Sequence, residues 1–162
     1  MRLTLTATML ALLCTWTAPA AAADDALLQR MSLCQDSWLD WKDDAARVKR
    51  YVAELESRFT HGERGAGLAP KSPTMAFGLP VAQVFPQSVG MALGFSVMVN
   101  ADFARARRSL ESRLGRPMSC QNSEEGHGCE LKIGEEKTVV LMSDENGKSR
   151  QTLLGCYYYY EK

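Results

Sequence analysis

The sequence predicts an α+β fold: a two-layer domain in which a long N-terminal helix and a second, arginine-rich helix pack on an antiparallel sheet of about four strands. Three observations lead to this prediction. Apolar residues recur every three or four positions between residues 26 and 60, which is the periodicity of an amphipathic helix. Strand-like segments separated by turn signals fill the second half of the chain. Four cysteines beyond residue 23 predict two disulfides that hold these elements together.

Residues 1–23 have the pattern of a secretory signal peptide. Arg2 gives a positive start, a short apolar stretch follows, and small residues precede Asp24, so we expect cleavage near Ala23. The apolar stretch is shorter than the roughly 20 residues that cross a bilayer. Leu13 stands where a lipoprotein signal requires a small residue before its cysteine, Cys14. We therefore expect residues 24–162 to form a single periplasmic or secreted domain without stable membrane insertion.

Residues 24–61 are predicted to form the long helix, which ends at Gly62. Its apolar stripe consists of Leu27, Met31, Cys34, Trp38, Trp41, Ala45, Val48, Val52, Leu55 and Phe59. The same spacing occurs in coiled coils, but the size of the chain favours a helix laid across a sheet. A break near Gln35, with Asp36 capping a second helix, is the alternative to one continuous helix. Because both tryptophans lie on the stripe, we expect core packing rather than a ligand platform.

Residues 62–80 are predicted to form an irregular loop. The segment contains the helix- and strand-breaking residues Gly62, Gly65, Gly67, Pro70, Pro73, Gly78 and Pro80. Its apolar residues Met75 and Phe77 either pin a connecting loop to the surface or belong to a binding loop, and the sequence leaves both interpretations open.

Residues 81–162 are predicted to follow the order β-α-β-β-β. Strands are expected at 81–85 and 90–100, and the latter has one face of large side chains. Asn100 is the predicted cap of an arginine-rich helix over 101–114. Three further strands are expected at 129–133, 137–143 and 151–160, with a turn at Asn146-Gly147 between the last two.

The cysteines are expected to form disulfides because the predicted compartment is oxidising. Of the three pairings, we favour Cys120 with Cys129 and Cys34 with Cys156. A metal site that combines Cys120, His127 and Cys129 is the alternative, but its spacing does not match that of structural zinc sites. No metal or cofactor is therefore expected.

The favoured pairing also predicts which face of the sheet is free. If Cys156 pairs with Cys34, the face of the last strand that carries Cys156 lies under the long helix. Tyr157 and Tyr159 then point to the opposite face of the sheet. Exposed tyrosines suit protein recognition, although aromatic residues also favour strands for packing alone. The basic outer face of the second helix, which includes Arg105 and Arg108, is either an acidic-partner surface or a solvated helix face.

The sequence contains no recognised catalytic motif, and His61 and His127 lie in no catalytic pattern. Basic and acidic residues both number 19, so the chain has no net positive charge that would attract nucleic acid. We therefore expect a non-enzymatic module that binds an envelope or secreted protein, of the inhibitor or immunity type. The predicted binding surface consists of Tyr157, Tyr159, Phe77, Met75, Arg105 and Arg108.

Two other classes stay open. A small-ligand carrier predicts an enclosed pocket lined by Phe77, Phe85 or Met91. An envelope enzyme of unrecognised type predicts His61 or His127 in a cleft beside a carboxylate. The sequence does not decide the oligomeric state.

Overall fold

The computed structural model describes residues 24–41, 43–62, 67–89, 92–123, 126–143 and 150–158. Within these ranges there are three helices: α1 (Ala26–Ser32), α2 (Ala45–Arg58) and α3 (Phe103–Leu114). The strands of the same ranges are β1 (Phe59–His61), β2 (Leu68–Pro70), β3 (Met75–Ala76), β4 (Leu79–Phe85), β5 (Ser88–Val89), β6 (Ala92–Val99), β7 (Ser119–Ser123), β8 (Gly126–Lys132), β9 (Lys137–Ser143) and β10 (Thr152–Tyr158). None of the described helices has the length and apolar composition needed to span a bilayer.

The strands form one ten-stranded sheet, in which the long path runs β1-β2-β4-β6-β10-β9-β8-β7. The short strands β3 and β5 pair with β4 and β6. The pairings are antiparallel, and β10 lies between β6 and β9 in the middle of the sheet. The predicted two-layer domain on about four strands is therefore wrong, and the fold is mostly sheet. The prediction missed strands of two to five residues, which are too short to show an alternating pattern.

The core lies on one face of the sheet. Directly paired residues share a face, and one such row crosses six strands through Leu68, Val84, Val97, Leu154, Leu141 and Cys129. The helices add Leu28, Leu55 and Leu110 to the same apolar cluster. Val140 on the opposite face is also buried but does not belong to this cluster.

The predicted continuous helix over 24–61 is wrong. Helix α1 ends at Ser32, and α2 begins only after Asp44, whose Oδ1 accepts a hydrogen bond from Arg47 N at 2.9 Å. Cys34 lies between them with a φ of 59°, a left-handed conformation that ends a helix. The alternative cap, Asp36, instead accepts hydrogen bonds from the Arg30 and Arg47 side chains.

The end of α2 also differs from the prediction. The helix stops at Arg58 rather than Gly62, and Phe59 is already extended. Because the amide of Phe59 still donates to the carbonyl oxygen of Leu55, one residue both closes α2 and opens β1. Helix and strand are thus joined without a loop.

The predicted irregular loop over 62–80 is wrong as well, because its described part contains β2, β3 and the start of β4. Phe77 and Gly78 connect β3 to β4 with φ values of 57° and 68°, as a two-residue turn of type I′ requires. Asp24 Oδ1 accepts from the amide of Gly78 at 2.7 Å. Proline and glycine therefore shorten the strands of this segment without excluding them.

The predicted β-α-β-β-β order after residue 81 is incomplete, because it lacks the strands β5 and β7. In addition, β4 and β8 begin earlier than predicted. The cap of α3 is Asp102, which accepts from Arg105 N at 2.8 Å. The predicted cap, Asn100, instead accepts from Gln151 Nε2 at 3.0 Å. The turn predicted at Asn146-Gly147 lies outside the described residues.

Both favoured disulfides are present in the structure. Cys34 pairs with Cys156 across 122 positions of sequence, and Cys120 pairs with Cys129 across nine. The first joins the turn after α1 to the central strand β10. The second links two directly opposite residues of the β7–β8 hairpin. The disulfides fit an extracellular or periplasmic protein.

Gly155 is the position where the centre of the sheet tolerates no side chain. A methyl group there would overlap the carbonyl oxygen of Phe95 and lie 2.7 Å from Ser96 Cα. We expect Gly155→Ala to lower the free energy of unfolding by about 3 kcal/mol or more, because the backbone of β6 would have to move. Urea denaturation measures this loss.

The matched control is Gly128→Ala in β8, where an added methyl group meets nothing within 4 Å. This variant should keep or slightly raise the stability, by up to about 1 kcal/mol, because alanine restricts the unfolded chain. Equal effects of the two substitutions would contradict the close approach at Gly155.

Candidate functional site

A groove of about 630 Å³ lies between the second half of α2, the strands β1 and β2, and the turn that follows β4. Its apolar lining consists of Tyr51, Val52, Leu55, Phe59, Leu68, Phe85 and Pro86. Polar groups come from Glu56, Thr60, His61, Lys71, Gln87 and Ser88. This size and this mixture of apolar surface with a few polar groups are typical of binding sites.

Helix α2 supplies one wall of the groove through two adjacent stripes. Tyr51 and Leu55 are four residues apart, share one side of the helix and are buried against the core. Val52 and Glu56 form the next stripe, and Val52 keeps 43% of its surface exposed. The helix therefore has more apolar surface than the core covers, and the surplus faces the groove.

Lys71 fixes the end of this wall. Its Nζ donates to the carbonyl oxygens of Glu56 at 2.7 Å and Ser57 at 3.4 Å, which lie in the last turn of α2. These carbonyls have no partner within the helix, and a cation is favourable at the negative end of the helix dipole. The lysine thus ties α2 to the strand pair that forms the opposite side of the groove.

Phe85 forms another part of the lining, and Gly67 makes room for it. A Cβ atom built on Gly67 would lie only 2.8 Å from Cε1 of the Phe85 ring. The ring therefore packs directly on the backbone of Gly67, immediately before β2. Any side chain at position 67 would displace Phe85 from the groove.

An aromatic cluster of Trp38, Trp41, Tyr51 and Tyr158 packs behind the groove, and its member Tyr51 also lines the groove. The rings of Trp41 and Tyr51 meet edge to face at 5.4 Å, and those of Trp38 and Tyr158 do so at 5.9 Å. The Arg47 guanidinium lies 4.4 Å from the Trp41 ring centre. Trp38 and Trp41 thus belong to the protein interior, although in a turn rather than in a helix.

Tyr51 has an unusual hydroxyl for a residue of this lining. The oxygen is buried and has no hydrogen-bond partner among the described residues. Burial raises the pKa of the Tyr51 hydroxyl well above its usual value, and the nearby Tyr158 adds to the rise. The group therefore stays a neutral hydrogen-bond donor throughout the physiological range.

The structure does not bring the predicted surface residues together. Phe77 is buried, with 2% of its surface exposed, so its prediction as a binding residue is wrong. Its side chain fills the core instead, and its carbonyl accepts a hydrogen bond from Ser109 Oγ. Met75 is half-buried in β3, and its carbonyl accepts from Asp25 N.

The remaining predicted residues lie elsewhere. Tyr157 is half-buried on the face of the sheet opposite Cys156, as the alternation predicts, and Tyr159 lies outside the described residues. Arg105 and Arg108 are exposed on α3. Helix α3 contacts the turn that follows β3, because Ser109 Oγ donates to the Phe77 carbonyl, whereas Tyr157 lies on β10.

The two histidines lie in different parts of the structure. His61 lines the groove, as does the carboxylate residue Glu56. The His127 ring lies 5.6 Å from that of Phe103 in a tilted contact. No group of three His, Cys, Asp or Glu residues in the described part of the chain is arranged to hold a metal ion.

Sequence reasoning placed Val52 and Leu55 in a buried helical stripe and so missed their role in the groove. A usable signal was present in the adjacent apolar pair Tyr51 and Val52. Two neighbouring apolar positions lie about 100° apart on a helix, so one narrow stripe cannot cover both.

Replacing Tyr51 by phenylalanine tests the burial of its hydroxyl. Near pH 7 we expect a change in unfolding free energy below about 1 kcal/mol, because the hydroxyl has no partner to lose. Above pH 10 the unfolded wild type releases this proton while the folded state retains it, so its stability falls as the pH rises. Between pH 10 and 11.5 the wild type should lose about 2 kcal/mol more than Tyr51→Phe. Urea denaturation followed by tryptophan fluorescence measures both curves, and parallel curves would contradict the assignment.

Comparison of the chain with protein-family models, curated proteins and solved structures finds no match. The geometry of the groove is therefore the basis on which a function is proposed.

Proposed function

We propose that the protein is an exported, non-enzymatic binding module whose groove holds an apolar segment of an envelope or secreted protein. One observation carries this proposal: Val52, one of the two large apolar side chains that stay exposed in the described chain, lines the groove, and the other, Leu93, lies opposite a groove residue. Val52 lines it directly, and Leu93 is paired across strands with Ser88, which also lines it. Exposed apolar surface beside a cavity marks interaction sites.

The position of Leu93 strengthens this argument. Alternation along β6 places Leu93 on the same face as Phe95 and Val97, which is the face covered by the helices. Phe95 and Val97 are fully buried, whereas Leu93 keeps 47% of its surface exposed. The apolar face of the sheet thus continues beyond the core as far as the pairing of Leu93 with Ser88, which lines the groove.

The inhibitor or immunity type is the form of this function that we favour. A partner segment held in the groove would be removed from its own task, which is how a small binding module can block an enzyme. This role needs none of the catalytic groups that the sequence lacks.

A small-ligand carrier is the second candidate. The groove volume and the ring of Phe85 favour it, because Phe85 is one of the residues expected to line a ligand pocket. The open side of the groove, where Val52 is exposed, favours a protein segment over an enclosed small molecule.

We further propose that export removes residues 1–23. Asp24 and Asp25 are already engaged in the fold: Asp24 Oδ2 lies 2.7 Å from Arg113, and Asp25 caps α1 and pairs with Arg58. A mature chain that begins at Asp24 therefore keeps every one of these contacts. Intact mass and N-terminal sequencing of protein recovered from the periplasm should identify Asp24 as the first residue. A start beyond Asp25 would contradict this proposal.

Val52→Lys tests the groove. Because Val52 is exposed, lysine should leave the fold intact while placing a charge among apolar groups that the partner must cover. In a pull-down from periplasmic extract with the oxidised mature protein, we expect recovery of a stoichiometric partner to fall at least about tenfold, a loss of roughly 1.4 kcal/mol.

The matched control is Ala46→Lys, which adds the same charge to an exposed position of α2 away from the groove. It should recover the partner as well as the wild type does. Undiminished recovery with Val52→Lys, or no stoichiometric partner for the wild type, would overturn the proposal.

A further inference from the structure

Strand β1 is the first strand of the sheet order, and within the described residues only β2 pairs with it. The hydrogen bonds on either side of β1 fix the direction of its backbone groups. Lys71 N donates to Arg58 O, and Gly62 N donates to Gly67 O, both at 2.9 Å. In an antiparallel pair, every second residue points its backbone amide and carbonyl to the neighbouring strand. The backbone groups of Thr60 therefore also point to β2. The amides and carbonyls of Phe59 and His61 therefore point away from the sheet.

Three of these four outward groups are open to a partner. The amide of Phe59 donates to Leu55 O and is already used by α2. The carbonyl of Phe59 and both backbone groups of His61 make no hydrogen bond within the described part of the chain. An edge with such groups accepts an additional strand.

The groove lies beside this same edge. All three residues of β1 line it. The groove therefore borders the strand along its whole length. The other edge strand, β7, is not among the residues that line the groove.

Resting on the proposed function, we propose that the partner binds as an extended peptide that adds to the free edge of β1, with alternate apolar side chains entering the groove. Only an extended backbone presents amides and carbonyls at the spacing of this edge. A fatty acid or other amphiphile would fill the apolar lining and leave the groups of His61 unmatched.

This mode of binding fixes which peptide residues must keep their amide hydrogens. Directly opposite residues in a sheet share a face, and His61 is on the helix-covered face because it pairs with Leu68. If the peptide adds antiparallel to β1, the residue opposite His61 exchanges both hydrogen bonds with it and points its side chain to that face, toward the groove. The apolar positions of the peptide are thus the positions whose amides bond to β1.

The test uses the oxidised mature protein and a panel of fluorescein-labelled nonapeptides in which apolar residues alternate with Thr or Lys. Fluorescence anisotropy gives the Kd of each peptide. For the tightest binder, N-methylation of the apolar residues should weaken binding at least about tenfold, because it removes the bonded amides. N-methylation of the polar residues should change the Kd less than about threefold, because those amides face away from β1.

His61→Pro is the corresponding change in the protein. Proline removes the outward amide of His61 and spares the bonds between β1 and β2, so the variant should fold. We expect peptide binding at least about tenfold weaker than that of His61→Ala, which loses the same imidazole but keeps the amide. Cooperative thermal unfolding of both variants checks the fold.

The outcomes separate the two proposals. Peptide binding that depends on Val52 but ignores both His61→Pro and N-methylation would overturn strand addition and leave the proposed function standing. Binding of laurate without binding of any peptide would overturn strand addition in favour of a carrier. Peptide binding that Val52→Lys does not weaken would overturn the groove function itself. A wild-type dimer that His61→Pro converts to monomer, unaffected by peptide, would assign the edge to a second copy of the chain and overturn the peptide as occupant.

Discussion

The disulfide between Cys34 and Cys156 is the constraint on which the rest of the structure depends. It joins the end of α1 to β10, the strand between β6 and β9 at the middle of the sheet. Cys34 has a left-handed backbone conformation there, and the chain does not continue as one helix but turns across the aromatic cluster. That turn sets where α2 begins. It therefore also sets the position of the apolar surface of α2 that the core does not cover. The groove beside β1 is a distant result of this covalent link.

The sequence allowed the disulfides, the packing of Trp38 and Trp41 against the core and most of the C-terminal strands to be predicted. It left one continuous helix and a break near Gln35 both open, and the break is present. The start of the second helix was not predicted, because a spacing of three and four only requires side chains to face one direction. Trp38 and Trp41 satisfy this requirement in a turn as well as in a helix. The local signal was Asp44, an ordinary N-cap residue that competes with several other aspartates nearby.

The groove was harder to predict than the fold. Its lining comes from three separate segments, 51–61, 67–71 and 85–88, whose proximity depends on strand pairing across the sheet. Phe77 shows the opposite error, because a residue predicted to lie at a binding surface is buried in the core. A phenylalanine before a glycine in a segment rich in proline reads as a loop residue, yet a tight turn rotates its side chain into the core. Composition identifies apolar residues in such a segment but does not decide which side of the chain they face.

The direct joint between α2 and β1 has a consequence for the entropy of binding. Phe59 belongs to both elements, Lys71 bonds to the last turn of the helix, and Arg58 in that turn pairs with Asp25 beside α1. The wall of the groove is therefore tied at three points to other parts of the molecule and cannot swing independently. A partner would meet a preformed surface and would lose little of its binding free energy to ordering the protein. The conformational cost of association would fall mainly on the partner.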